Sequence, residues 1–292
     1  MKVVVFGGSG FLGSFIADEL SHRGHHVVIF DRMESLWLRS DQSMIVGDIL
    51  DEKKVYQAVE GADVVYNFAG LADLDEALSK PLDSVRYNVL GNTIVLEACR
   101  LANIQQYIFS SSMYVYSRSG GFYRCSKQAC ELYIENYHQT YGLNYTILRY
   151  GTLYGPRSND KNAIYRYIKQ AMIEHKITYK GSPSAIREYI HVEDAARSSV
   201  DIMQPEFYNQ HMIITGTQQI PVSQLFSIIE EIIGERLQIE FMEGGLGHYE
   251  VTPYSFIPKM GKKFSPSLYV DLGQGLLRII EEFYQQINFE VK

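Results

Sequence analysis

Cysteine is scarce in this chain: three residues in 292, Cys99, Cys125 and Cys130, with no CxxC and no Cys/His cluster. That excludes a disulfide framework and a structural metal site of the usual spacing, and it points to a reducing compartment. Long apolar runs are missing too. The longest are strand-length, far short of a bilayer span, so no membrane segment is expected. Basic runs are also absent. With Lys+Arg 27 against Asp+Glu 34 the net charge is −7, which argues against nucleic acid as a partner. An anionic ligand must therefore be held by local arginines and backbone amides. The opening "MKVVVFGGSG" starts directly as a strand and leaves no room for a signal peptide, so a cytoplasmic protein is expected. There is no internal repeat and no low-complexity segment.

What is present is a globular composition, 46% hydrophobic and 21% charged, in a chain long enough for one large α/β domain or two lobes. Apolar runs at 2–6, 26–30, 43–47, 62–68, 106–110 and 145–150 read as buried strands. Amphipathic segments at 11–23, 51–60, 84–102 and 123–141 read as helices between them. This alternation predicts a doubly wound parallel sheet of about seven strands, an α/β fold of Rossmann type. Residues 1–155 are expected to form it. After the turn-rich "YGPRSNDKN" the rhythm changes, and 156–292 is expected to be mainly a smaller C-terminal lobe that binds substrate. A segment near 187–216 is expected to return to the first domain. Helices are expected at 163–175, at 221–234 and near 272–287, and 244–267 reads as ligand-facing loop.

The turn "FGGSGFLGS" follows a strand and opens a helix. Gly8, Gly10 and Gly13 satisfy GxGxxG, and Gly7, Gly10 and Gly13 satisfy GxxGxxG. Glycine is needed there because the turn is tight and the backbone must approach a pyrophosphate at the helix N-terminus. Asp31 ends the second strand, where a carboxylate accepts hydrogen bonds from both adenosine ribose hydroxyls and repels a 2′-phosphate. Arg32 beside it pulls the other way, and NAD is favoured over NADP. Asp48 in "VGDIL" is read either as an adenine contact or as the N-cap of the helix near Asp51.

Tyr123 and Lys127 share one helical face at i and i+4. A free phenol has a pKa of ~10, and a neighbouring ammonium, a helix N-terminus and an oxidised nicotinamide each favour the phenolate. Such a tyrosine can take a proton from a substrate alcohol as hydride leaves the same carbon. Ser112 ends a strand, where α/β sheets bind ligands, and can orient that alcohol. Taken alone, a tyrosine and lysine at this spacing are more often an exposed helix pair; behind a dinucleotide turn and a strand-end serine the order reverses.

The ordered set "GGSGFLG", "VGDIL", "NVLGNTIVLEACR", "FSSSMYVYS", "YRCSK", "LRYGTLYGPR", "REYIHVEDAA" and "ITGTQQIPVSQLFSIIEEIIG" resembles the extended short-chain dehydrogenase/reductases, in their nucleotide-sugar epimerase/dehydratase branch. The likeness spans nearly the whole chain. It implies Tyr123 as base, Lys127 as nicotinamide-ribose anchor and Ser112 as the serine beside them. Arg187 matches the arginine that grips the sugar-nucleotide diphosphate, although it could instead pair with Glu188 or Glu193. Asn67 matches a strand-end position beside the cofactor, and Asn88 an asparagine with a structural or relay role. The implied cofactor contacts are Gly7, Gly10, Phe11, Leu12, Gly13, Asp31, Arg32, Asp48, Ile49, Phe68, Ala69, Asn88, Tyr123, Lys127 and Tyr150. The implied substrate contacts are Asn67, Ser111, Ser112, Arg187, His248 and Tyr254.

Two departures narrow the expectation. Dehydratases of this branch carry an acidic pair where this chain has Met113 and Tyr114, and related decarboxylases carry a glutamate at the second position; neither residue here can do that acid–base work. The loop before Tyr123 is shortened to "SRSGG" and Phe122, which should open the sugar pocket. In the second lobe an expected arginine is replaced by "GHYEVTPYSFIPKMGKKF", leaving His248, Tyr249, Tyr254 and Lys259 as candidates. The expected activity is NAD-dependent oxidation at C4 of a nucleotide sugar, foremost a 4-epimerase of polysaccharide biosynthesis. A 4-dehydrogenase or ketosugar reductase is the alternative, and a non-catalytic NAD-binding scaffold lies further off. The resemblance also implies a homodimer through the helices at 84–102 and 123–141.

Overall fold

The computed structural model describes residues 1–243 and 250–253. His248, Tyr249, Tyr254, Lys259 and the helix expected near 272–287 lie outside the described residues. The first half runs β1 (Lys2–Phe6), α1 (Phe11–His22), β2 (His26–Asp31), β3 (Gln42–Val46), α2 (Glu52–Val59), β4 (Val64–Asn67), α3 (Leu74–Ser79) and the single turn α4 (Pro81–Asp83). A π-helical stretch, Ser84–Leu90, then leads into α5 (Gly91–Ala102), β5 (Gln106–Ser112), a 3-10 turn (Met113–Tyr116), α6 (Gly121–Tyr141) and β6 (Tyr145–Tyr150). The second half adds β7 (Thr152–Tyr154), α7 (Ala163–Glu174), β8 (Lys176–Lys180), β9 (Ile186–His191), α8 (Val192–Asp201), a 3-10 turn (Pro205–Phe207), β10 (Gln210–Ile214), β11 (Gln219–Pro221), α9 (Val222–Ile233) and β12 (Gln238–Met242).

Seven strands form one parallel sheet in the order β10-β6-β5-β4-β1-β2-β3. The order reverses between β1 and β4, and in such sheets the ligand crevice lies beyond the carboxyl ends of the strands at that reversal. The central strands are valine- and isoleucine-rich because both faces are covered. Along β1, Val4 and Phe6 join the apolar layer shared with α2, α5 and α6, while Val3 and Val5 join the layer of α1 and α8. Two smaller sheets, β11-β9-β7 and β12-β8, carry the later elements, with Phe226 and Tyr179 in a third apolar cluster.

The glycine turn is packed against its neighbours without slack. Gly7 has φ +76°, and a Cβ there would stand 2.6 Å from the Ala69 amide nitrogen, at the end of β4. A Cβ on Gly13 would lie 2.2 Å from the Gly7 carbonyl oxygen. Gly13→Ala should therefore destabilise the fold by about 3 kcal/mol. Gly61→Ala, at a positive-φ turn with no atom within 4 Å, should lose only about 1 kcal/mol. Chemical denaturation of the two variants checks the difference.

Candidate active site

The cofactor end is built by β1, α1 and β2. Gly10 is the N-cap of α1 and offers no side chain to the first-turn amides, so those N–H groups remain donors for an anion. Asp31, at the end of β2, accepts from the Ser9 amide at 3.1 Å and from the Met33 amide at 3.2 Å. Its carboxylate thus shapes the turn and, with about four acceptor positions, keeps capacity for ribose hydroxyls. Glycine cradle, uncapped helix start and strand-end carboxylate fit a dinucleotide. Arg32 is exposed beside them.

The reactive end is built by β5 and α6. Gly120 (φ +96°) and Gly121 (φ +49°) swing the chain into α6, which begins two residues before Tyr123. A Cβ on Gly120 would meet the Tyr114 ring at 2.7 Å, so glycine is required there as much by packing as by φ. Lys127 is buried. Its Nζ donates to the Ser110 carbonyl at 2.6 Å, lies 4.7 Å over the Phe109 ring and stands 5.7 Å from the Tyr123 ring centre. Burial lowers the ammonium from the usual lysine range, and the Cys130 thiol and the Glu131 carboxylate oppose that shift. The Cys130 thiol itself is pushed up to about 12 by burial.

Ser112 is buried at the strand end, and its Oγ accepts from the Tyr114 amide at 3.3 Å, capping the 3-10 turn. That turn is tied to α6: Gln128 Nε2 donates to the Val115 carbonyl at 2.7 Å and Arg124 to the Ser117 carbonyl at 3.0 Å. The Tyr114 ring stands edge-on to Tyr123, with centroids 6.2 Å apart.

Several residues expected at the ligand also have hydrogen-bond or packing partners within the protein. Strand alternation sends Ser111 to the opposite face from Ser112, where it donates to Glu131 Oε1 at 2.5 Å. Tyr150 is buried, its hydroxyl 2.6 Å from Ser199 Oγ, and burial holds that phenol far above its usual range. Ile49 is core, packed so closely on Gly91 that a Cβ there would be 2.8 Å from its Cγ2. Asp48 is exposed and accepts from the Leu50 amide at 2.9 Å, while Asp51 caps α2. Asn67 is buried, donating to Tyr107 Oη at 2.9 Å and Asn92 Oδ1 at 3.2 Å and accepting from the Ala69 amide.

Asn88 acts as a bracket. It accepts from the Leu71 amide at 2.6 Å and donates to the Leu71 carbonyl and to Ser126 Oγ, which donates in turn to the Tyr123 carbonyl at 2.8 Å. The π-helical stretch that carries Asn88 thereby joins the Phe68–Ala69 loop to the start of α6. Phe68 sits between the Tyr66 and Tyr150 rings. Arg187 is buried on β9 and donates to the Ile186 and Glu250 carbonyls at 2.9 and 3.2 Å. Sequence reasoning missed Glu131, Arg149 and Gln128. Glu131 continues the Tyr123–Lys127 spacing by one more turn, and that repeat was the available signal.

A parallel sheet with a glycine turn at its order reversal and a tyrosine–lysine pair on the helix packed against the C-terminal half of β5 defines an oxidoreductase of the extended short-chain dehydrogenase/reductase type. The chain belongs to the NAD dependent epimerase/dehydratase family, which it matches over residues 3–214. It is 31% identical over 249 residues to a UDP-glucose 4-epimerase of Yersinia enterocolitica, covering 70% of this chain and 74% of that protein. It is 25% identical over 229 residues to a UDP-glucuronate 4-epimerase of Thermodesulfobacterium geofontis, with coverages of 74% and 71%. Among solved structures it resembles the UDP-glucuronic acid 4-epimerase of Bacillus cereus in complex with UDP-glucuronic acid and NAD. That match has a TM-score of 0.80 at 26% identity, over 86% of this chain and 89% of the other.

If Asp31 receives the adenosine ribose, Asp31→Ala should weaken NAD binding by about tenfold while NADP binding changes little or improves. Fluorescence titration with both dinucleotides checks this.

Proposed function

We propose that this protein is an NAD-dependent UDP-sugar 4-epimerase, with Tyr123 as the acid–base group at the sugar C4 hydroxyl. The observation that carries the reading is the buried Lys127 ammonium, tied to the Ser110 carbonyl and set beside the Tyr123 ring. Such a cation beside a phenol favours its ionised form. Tyr123 then takes the C4 hydroxyl proton and later returns it, and Ser112 orients the same hydroxyl. Lys127 holds the cofactor ribose in addition to the tyrosine. NAD, when bound, supplies the reversible two-electron acceptor for C4. Net epimerisation follows when the 4-ketose presents its other face before it is reduced. Met113 and Tyr114 supply no carboxylate for dehydration or decarboxylation, which supports an outcome confined to C4.

Arg187 is assigned to the substrate diphosphate, and residues 156–292, apart from a segment near 187–216 that returns to the first domain, mainly to the substrate lobe. No helix among the described residues is long and apolar enough to cross a membrane, and a cytoplasmic location is part of this reading. So is a homodimer. The outer face of α5 and α6 exposes Leu101, Leu132, Tyr133 and Tyr141, the last three lining a groove of about 320 Å³. Sedimentation should give twice the chain mass, and Leu132→Glu should shift it toward the monomer.

Incubated with NAD and UDP-glucose, UDP-glucuronic acid or UDP-N-acetylglucosamine, the protein should convert at least one to its C4 epimer with no net build-up of reduced cofactor. Tyr123→Phe should lower kcat by about 1,000-fold with NAD still bound. Stoichiometric reduction with release of a ketose would replace the epimerase reading by the dehydrogenase one.

A further inference from the structure

Tyr123, Lys127 and Glu131 lie on successive turns of α6, along one stripe of the helix. Two of the three are tied to consecutive residues of β5. Lys127 Nζ donates to the Ser110 carbonyl at 2.6 Å, and Ser111 Oγ donates to Glu131 Oε1 at 2.5 Å. A helix held to a strand at two points one turn apart can neither slide nor roll without breaking a buried hydrogen bond. Its first turn, which carries Tyr123, is aimed by those points.

Glu131 is itself fixed. Arg149, from β6, donates to Oε1 at 3.0 Å through Nε and to Oε2 at 2.6 Å through Nη2. The same guanidinium donates through Nη1 to Tyr116 Oη and lies 4.6 Å over that ring. Tyr116 closes the 3-10 turn that begins directly after Ser112. Ser112 is thus flanked by two contacts that converge on one carboxylate, Ser111 directly and Tyr116 through Arg149. His211 of β10 completes the group, 2.6 Å from Arg149 Nη2 through Nδ1 and 3.0 Å from Glu135 through Nε2.

We propose that Glu131 is a positioning residue, which with Arg149 sets the register of α6 and the 3-10 turn on β5 and so aligns Tyr123, Lys127 and Ser112. It lies beneath the site, buried, with both oxygens committed within the protein. Stability alone is a weak reason for such a group, because a buried ion pair replaced by packed apolar side chains often leaves stability unchanged. What the pair supplies is direction: carboxylate and guanidinium meet in a fork of defined geometry, which apolar groups do not reproduce. The charged and titratable groups around Glu131 include Lys127, Cys130 and Glu135 on α6, Tyr145 and Arg149 on β6 and His211 on β10. Burial and Arg149 lower the His211 pKa, against the opposing pull of Glu131 and Glu135.

The proposal rests on the reading of Tyr123 as the acid–base group, and the test separates the two. Glu131→Gln leaves Arg149 buried without its counter-charge and can simply unfold the chain. The informative variants are therefore Ser111→Ala and the double change E131M/R149M. Each is assayed as NAD-loaded protein for UDP-sugar epimerisation, for thermal unfolding, and for titration of Tyr123 by NMR of labelled tyrosine ring carbons, assigned against Tyr123→Phe. The expected result is a retained melting temperature and a KM within about twofold, with kcat lower by about tenfold in Ser111→Ala and about 100-fold in E131M/R149M. Tyr123 should titrate at higher pH in E131M/R149M. Unchanged kcat and unchanged titration in both folded variants would overturn the proposal. If the unaltered protein turns over no UDP-sugar, the functional reading fails, and the titration decides the positioning role: a shift in E131M/R149M supports it and an unshifted phenol overturns it.

Discussion

The Lys127 ammonium is removed from water, and the local structure is arranged around that fact. A buried charge is tolerated only when it is hydrogen-bonded and compensated. Here the Ser110 carbonyl supplies the acceptor, the Phe109 ring a cation-facing surface and Glu131 a counter-charge one turn along the helix. These groups come from one strand and one helix, so holding the lysine also holds α6 on β5. The phenol of Tyr123, four residues earlier, inherits its position from that arrangement.

The cofactor side depends on a second close approach, between the β1–α1 turn and the end of β4. Gly7 lies against Ala69, Asn67 accepts from the Ala69 amide, and Asn88 fixes Leu71 just beyond. Asn88 also reaches Ser126 and through it the Tyr123 carbonyl. The loop after β4 and the helix carrying Tyr123 therefore share one asparagine. The widened turn of the π-helical stretch at Ser84–Leu90 carries that side chain, consistent with the tendency of such turns to mark functional sites.

Much of this was legible in the residues. Valine and isoleucine runs located the parallel strands because burial on both faces demands them. The glycines of 7–13 located the turn, since no other residue fits where a Cβ would meet backbone. Tyr123 and Lys127 were found by spacing. Side-chain direction was harder. Ser111 turns to Glu131 on one face of the sheet and Tyr150 to Ser199 on the other, partners that a motif does not encode. Asp48 was read as a cap for the helix near Asp51, and only the path of the chain after β3 shows that Asp51 itself fills the role. The π-helical turn and the Asn88 bracket depend on contacts 17 and 38 residues away in sequence, beyond any local pattern. Tyr114 was read for the acid it replaces, and its edge-on packing against Tyr123 required the fold.

The most direct test of this account is the charge state of Lys127, followed through the NMR signal of its isotope-labelled ε-carbon and assigned by Lys127→Met. Burial should make it titrate below the exposed lysines, while its acceptor and counter-charge keep it protonated at neutral pH. A signal that titrates with the surface lysines, or one already neutral at that pH, would contradict the idea that a buried cation organises the site.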